Sequence, residues 1–198
     1  KHIFENEASR LGSPLYYFSD YNLSSDLKGQ YQLDNINASV SAIKILNYDI
    51  KQIDIYSGLN NVVKNTGLLA RWQIVSIDPL IICDIAHNMV AINSIMNQLS
   101  NFSQNKHIIL GFANDKNINQ IISILPQQHN YYICGSSNSR IINPELIKTN
   151  LNERGLVYKT FPSSSEALSF ITSNHSKNVM IIITGSTFIV SDALKYLR

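Results

Sequence analysis

The chain has 198 residues, 44% of them hydrophobic, with sixteen Lys and Arg against fourteen Asp and Glu for a formal charge of +2. That is enough apolar material for one well-buried α/β domain and a smaller appendage, and too little positive charge, with no basic run, to track a phosphate backbone, so nucleic acid is not an expected partner. The longest apolar runs, Pro79 to Cys83 and Val179 to Ile183, are of strand length and far short of the roughly 20 residues of a membrane helix.

In chain order, the first residues, Lys1 to Glu7, carry charges where a secretory signal would carry an apolar stretch. Leu15 to Phe18 reads as a strand, and helices are predicted over Gln32 to Leu46 and Ile50 to Val63. One strand and two helices bury too little to fold alone, so residues 1–66 are expected to be the edge of a neighbouring domain, with a hinge at Asn65-Thr66-Gly67.

From Trp72 onward the pattern alternates. Strands are predicted at Trp72 to Ile77, Leu80 to Asp84, His107 to Phe112, Tyr131 to Cys134, Leu156 to Phe161 and Val179 to Thr184. Between them, helices are predicted at Val90 to Phe102, Ile118 to Leu125, Pro144 to Glu153, Ser164 to Ser173 and Phe188 to Leu197, with Ser163 or Ser164 as an N-cap and Gly155 as a stop. This predicts an α/β fold over residues 67–198: a Rossmann-like, mostly parallel six-stranded sheet with helices on both faces. Cys83 and Cys134 fall inside strand runs and are expected to be buried free thiols of a cytoplasmic protein.

Ligands of such a sheet bind beyond the carboxyl ends of its strands. That draws attention to Asp84-Ile85-Ala86-His87-Asn88, Gly111 to Lys116, Gly135 to Arg140 and Gly185-Ser186-Thr187. Asp84 is of the type that binds ribose hydroxyls or a cation and His87 of the type that contacts an anion, although an Asp capping the next helix and a backbone-satisfied His fit the same spacing. Arg71 can reach a phosphate at the domain junction or stack on Trp72. Ser186 opens a helix whose first N–H groups suit a carboxylate or phosphate, or it caps that helix.

Taken together these segments resemble a family. Gly67 to Gln73, Pro79, and Cys83-Asp84-Ile85-Ala86-His87-Asn88 resemble the Gly-Arg and Asp-Gly-Ala-His-Asn-Pro signatures of the folylpolyglutamate synthase and dihydrofolate synthase family, within the Mur ligase superfamily. Gly29 to Asn35 with Ala38, Gly111 to Lys116, and Gly185 to Val190 resemble that family's Gly-x-(His/Tyr)-Gln-x-x-Asn, Asp-Lys-Asp and Gly-Ser-Leu-Tyr-Leu-Val segments in the same order, over almost the whole chain.

The resemblance implies the C-terminal part of a cytoplasmic, monomeric ligase. ATP, with magnesium, phosphorylates a folate or dihydropteroate carboxylate, and glutamate displaces the phosphate, with ADP released. It implies Asn35 at the adenine edge, Arg71 at the phosphates, Asp84 at the ribose, and His87, Ser186 and Phe188 at the incoming glutamate, with Arg71 and His87 catalytic.

Ala70, Ile85, Met89 and Asn117 depart from the family pattern at positions given no chemistry, and Phe188 lacks the hydroxyl of the more common Tyr. No Gly-x-x-x-x-Gly-Lys-(Ser/Thr) occurs in the chain. The resemblance implies that this loop, the magnesium ligands and most of the folate site lie upstream, so the chain alone is expected to fold without turning ATP over. Asp84, His87 and Ser186 are expected around one cleft. Two other readings fit the scaffold: a peptidoglycan-precursor ligase of the same superfamily, and a non-catalytic nucleotide-binding module.

Overall fold

The computed structural model describes residues 2–174 and 179–197; Lys1 and Arg198, the outer bounds of the expected domains, lie outside them. The chain divides into two units, Lys1–Leu27 with Tyr31–Gly67, and Lys28–Gln30 with Leu68–Arg198.

The larger unit is built on β1 (Gln73–Ile77), β2 (Leu80–Cys83), β3 (Asn105–Gly111), β4 (Asn130–Cys134), β5 (Val157–Phe161) and β6 (Val179–Gly185), in the order β1-β2-β6-β3-β4-β5. All neighbours are parallel except β1 and β2, which form an antiparallel hairpin across the cis Asp78–Pro79 peptide, with a bulge between Ile74 and Ser76. The run Val-Met-Ile-Ile-Ile-Thr-Gly of β6 is buried at every position, as an interior parallel strand covered on both faces must be. The edge strands β1 and β5 carry exposed residues instead.

Alternate residues of the strands point to opposite faces. Ile81, Cys83, Ile109, Tyr132, Cys134, Ile181 and Ile183 pack in one cluster with Ala167, Leu168 and Ile171 of α8 (Ser164–Asn174) and Ile189, Val190 and Ala193 of α9 (Thr187–Tyr196). The opposite set, Ile82, Ile108, Leu110, Tyr131, Ile133 and Ile182, is buried too. So are the inner residues of α5 (Met89–Leu99), α6 (Ile118–Ser123) and α7 (Lys148–Glu153). Helices therefore cover both faces, as expected.

Local chemistry sets the element ends. Glu166 N–H donates to Ser163 Oγ, whose hydroxyl donates to Glu166 Oε1, so Ser163 is the cap of α8. Gly155, at φ +72, turns the chain after α7, which a 3₁₀ turn at Pro144–Ile147 precedes. β1 begins one residue later than expected because Trp72 has φ +51 and cannot continue an extended strand.

The smaller unit holds α1 (His2–Leu11), α2 (Gln32–Leu46), α3 (Gln52–Asn60) and α4 (Val62–Thr66) around Ile36, Val40 and Ile55. Three expectations are corrected here. Leu15 to Phe18 is not a strand: it has no ladder partner among the described residues, its side chains are exposed, and the following backbone donates to α2 side chains, Ser19 N–H to Ser41 Oγ and Tyr21 N–H to Asn37 Oδ1. The helix predicted over Ile50 to Val63 is broken at Asn61, at φ −131 and ψ 28, and it extends to Thr66, where Gly67 at φ +66 closes it. Helix α1 was not predicted. It buries no residue, so it leaves no apolar stripe to read. Among the described residues no helix is long and apolar enough to cross a membrane.

Candidate functional site

The carboxyl edge of the sheet is shaped by two glycines that face each other across β3 and β6. A Cβ on Gly185, which has φ +102, would meet Gly111 O at 2.3 Å, and one on Gly111 would meet Cys134 O and Ile189 at 2.6 Å. Only glycine fits either place. The close approach lets Ser186 N–H donate to Gly111 O at 2.9 Å, which fixes where α9 begins.

Around that start lies a pocket of about 440 Å³, lined by His87, the loop Ala113 to Lys116, Ser139, Arg140, and Ser186, Thr187 and Phe188. Its walls are the exits of β2, β3, β4 and β6, which are consecutive neighbours in the sheet when taken as β2-β6-β3-β4. The β3 and β4 exits are tied together: Asn114 N–H donates to Arg140 O at 2.8 Å, Asn114 Nδ2 to Ser139 O at 2.7 Å, and Ala113 bridges Ile141.

The pocket is suited to an anion. Arg140, Lys116 and the first-turn N–H groups of α9 contribute positive potential. Ser186 is 6% exposed and makes no capping bond to α9. Lys116 Nζ lies 3.0 Å from Asp115 Oδ2, and its ammonium holds the exposed Asp115 carboxyl below its ordinary value. His87 is exposed, with Nδ1 3.4 Å from Ile85 O, too long for a strong bond.

Of the residues singled out in the sequence, His87, Ser186 and Phe188 meet at this pocket, while Asp84 and Arg71 are not in its lining. Asp84 is 2% exposed and accepts a hydrogen bond from Trp72 N–H at 2.7 Å. It does not cap the following helix. Asn88 does, accepting from Ala91 N–H at 2.9 Å. Arg71 is half-buried, between Ala70 at φ +55 and Trp72 at φ +51. The departure from a family Gly at position 70 thus leaves an alanine in a conformation that suits glycine. Asn35, in the other unit, is exposed on α2 and donates to Gln32 Oε1 at 2.8 Å.

Lys116 and Arg140 are site residues that no motif assigned. The signal available was their place: each ends a loop that leaves the carboxyl end of a parallel strand. Among the described residues no group of three or more His, Cys, Asp or Glu side chains could hold a metal ion.

Comparison with known proteins finds a match to the family model "Mur ligase, glutamate ligase domain" over residues 70–187. The chain is 27% identical over 169 residues to a dihydrofolate synthase/folylpolyglutamate synthase of Buchnera aphidicola (subsp. Baizongia pistaciae), covering 83% of this chain and 38% of that protein. It is 26% identical over 188 residues to a probable dihydrofolate synthetase of Schizosaccharomyces pombe, covering 88% and 45%. Among solved structures, the bifunctional folylpolyglutamate synthase/dihydrofolate synthase of Yersinia pestis, complexed with AMPPNP and a manganese ion, superposes with a TM-score of 0.81 at 20% identity over 99% of this chain and 50% of that one. The Mycobacterium tuberculosis folylpolyglutamate synthase complexed with ADP gives 0.74 at 18% identity, over 87% and 41%. The solved structures share the fold, and the chain spans half or less of the length of each of these four proteins.

Proposed function

Because the chain belongs to the Mur ligase family and carries its glutamate ligase domain, we propose that it is the amino-acid-receiving part of an ATP-dependent, ADP-forming ligase that joins L-glutamate to dihydropteroate or a folate. The observation that carries this reading is the pocket: one imidazole, two cations and the open first turn of α9 converge at the carboxyl edge of the sheet. The folate branch is preferred to a peptidoglycan-precursor ligase because the similar curated proteins are dihydrofolate and folylpolyglutamate synthases.

In the proposed reaction the acceptor carboxylate oxygen takes the γ-phosphoryl group of ATP and ADP leaves. The glutamate nitrogen then attacks the acyl carbon, the amide forms, and phosphate departs with the carbon–oxygen bond's electron pair. Arg71 would stabilise the charge on the transferring phosphoryl group. His87 would take the proton released by the attacking amine, with Ser186 and Phe188 against the amino acid. Asn35 would meet the adenine edge. Asp84 would serve at the ribose and, through Trp72 N–H, as anchor of the turn that carries Arg71. A divalent cation, magnesium in this proposal, would neutralise triphosphate charge, and no residue described here is assigned to it. The phosphate-cradling loop is absent from the 198 residues, so the chain by itself is proposed not to turn ATP over.

The test is ADP release by the longest polypeptide read from the gene, supplied with ATP, magnesium, L-glutamate and either dihydropteroate or tetrahydrofolate. Release that needs both glutamate and a pterin acceptor is expected. Release that needs a uridine-nucleotide muramyl acceptor instead, or nucleotide binding with no turnover on any acceptor, would overturn the reading.

A further inference from the structure

The pocket has two cationic side chains, and only one of them is committed. Lys116 Nζ is 3.0 Å from Asp115 Oδ2, so much of its charge is already answered. Arg140 differs: among the described residues its guanidinium has no hydrogen-bond or ion-pair partner, while its backbone is held on both sides. Its N–H donates to Asn138 Oδ1 at 2.9 Å and its carbonyl accepts from Asn114 N–H at 2.8 Å. A guanidinium mounted on a fixed turn and left without a carboxylate is prepared for a planar anion brought by a ligand.

A second anion-binding locus lines the same pocket. Ser186 is 6% exposed, has no capping bond to its own helix, and opens the ten-residue helix α9. Ser186 follows β6 and Arg140 follows β4, with β3 between them, so the two backbones stand about two strand spacings apart, roughly 10 Å. The length of an arginine side chain shortens that gap to the span of a small dicarboxylate.

We propose that Arg140 is a specificity-determining residue of this pocket: it binds one carboxylate of an incoming amino acid whose other carboxylate lies at Ser186 and the first turn of α9. The inference rests on the ligase reading and adds to it the residue that separates an acidic amino acid from its amide. Glutamine, offering a neutral amide in place of one carboxylate, would leave the guanidinium without its counter-charge. Charged hydrogen bonds of this kind separate the two ligands by about tenfold or more.

The experiment is a titration of the ¹⁵N-labelled 198-residue chain with L-glutamate and with L-glutamine at up to tens of millimolar, following the amide signals of Asn114, Arg140 and Ser186. The wild-type chain is expected to prefer glutamate by about tenfold or more. Arg140→Gln is expected to bring the ratio to within about twofold by weakening glutamate alone, and Arg140→Lys, which keeps the charge but not the fork, to fall between. Lys116→Gln should keep the preference. Signal dispersion reports folding for each variant, and Arg140→Lys carries the test if Arg140→Gln does not fold. A full preference retained by the Arg140 variants, or one lost with Lys116→Gln, overturns the proposal while leaving an amino-acid pocket in place. No response of the wild-type chain to either amino acid overturns both the proposal and the glutamate site of the ligase reading.

Discussion

The turn that presents Arg71 is unfavourable by itself. Ala70 at φ +55 and Trp72 at φ +51 lie in the left-handed region, which costs an L-residue roughly 1–2 kcal/mol. The turn persists because it is tied to the β2 exit: Ile85 N–H donates to Ala70 O at 3.0 Å and Trp72 N–H to the Asp84 carboxylate at 2.7 Å. Asp84→Ala strands that buried N–H and is expected to lower stability by about 1–3 kcal/mol. Asp84→Asn, whose amide oxygen can still accept, should lose less. Urea midpoints of the two variants check this, and equal losses would show that the Trp72 bond is not what Asp84 contributes. Any loss of nucleotide affinity in Asp84→Ala then has to be read beside a displaced Arg71. The sequence marked Asp84 through its place at a strand exit, but nothing in Asp-Ile-Ala-His-Asn indicated that the carboxylate turns inward to a backbone two strands earlier in the pattern. Arg140 was hidden for the opposite reason: its value lies in lacking a partner, and that is visible only once the surrounding side chains are placed.

Helix α5 begins where the sheet exit hands the chain to the layer above it. Asn88, at φ −134 and ψ 166, accepts from Ala91 N–H at 2.9 Å, satisfying one of the first-turn donors that an α-helix leaves open. Asn88→Ala is therefore expected to cost about 1 kcal/mol, while Asn88→Ser retains most of it. Neither should alter amino-acid binding, since Asn88 is not in the pocket lining. Thermal unfolding beside a glutamate titration separates the two effects, and a binding loss without a stability loss would move Asn88 from helix cap to ligand contact. Elements with a buried face were legible in this way throughout the larger unit, because β6 is apolar at every position and α5 buries Ile92, Ile95, Met96 and Leu99 at helical spacing. Elements without one were not. Helix α1 exposes Ile3 at 81% and Phe4 at 71% and is supported by the Glu7–Arg10 pair, which leaves no periodic signal. Leu15 to Phe18 has the composition of a strand, yet a strand needs a ladder partner that no local pattern can supply.

The two units differ greatly in what they bury, and their unfolding should differ accordingly. In the smaller one the buried apolar side chains are Ile36, Val40 and Ile55. The larger closes two faces of a six-stranded sheet, and each fully buried Ile, Leu or Val contributes about 1.5–3 kcal/mol. Unfolding in two steps is expected, the helices of residues 2–66 losing their signal first. The cysteines supply an independent clock for the second step. Cys83 and Cys134 are both buried in the sheet. Burial, with the Asp84 charge adding to it, pushes the Cys83 thiol up to about 12. Burial raises Cys134 as well, with Asp192 and Glu166 adding to it. Only the thiolate reacts, so at pH 8 an aromatic disulfide reagent should titrate neither cysteine in the folded chain, neither after the first step, and both together in the second. The same shifts set a pH dependence. The folded state holds both protons above the ordinary thiol value of about 8.5, whereas the unfolded chain releases them there, so the contribution of these thiols is complete below that value. It declines as pH rises from about 8.5 toward 12. Replacing both cysteines by Ala should flatten that decline after allowance for the lost volume. Reagent uptake that coincides with the first loss of helical signal would show that the sheet opens with the smaller unit, and the two would then have to be counted as one cooperative body.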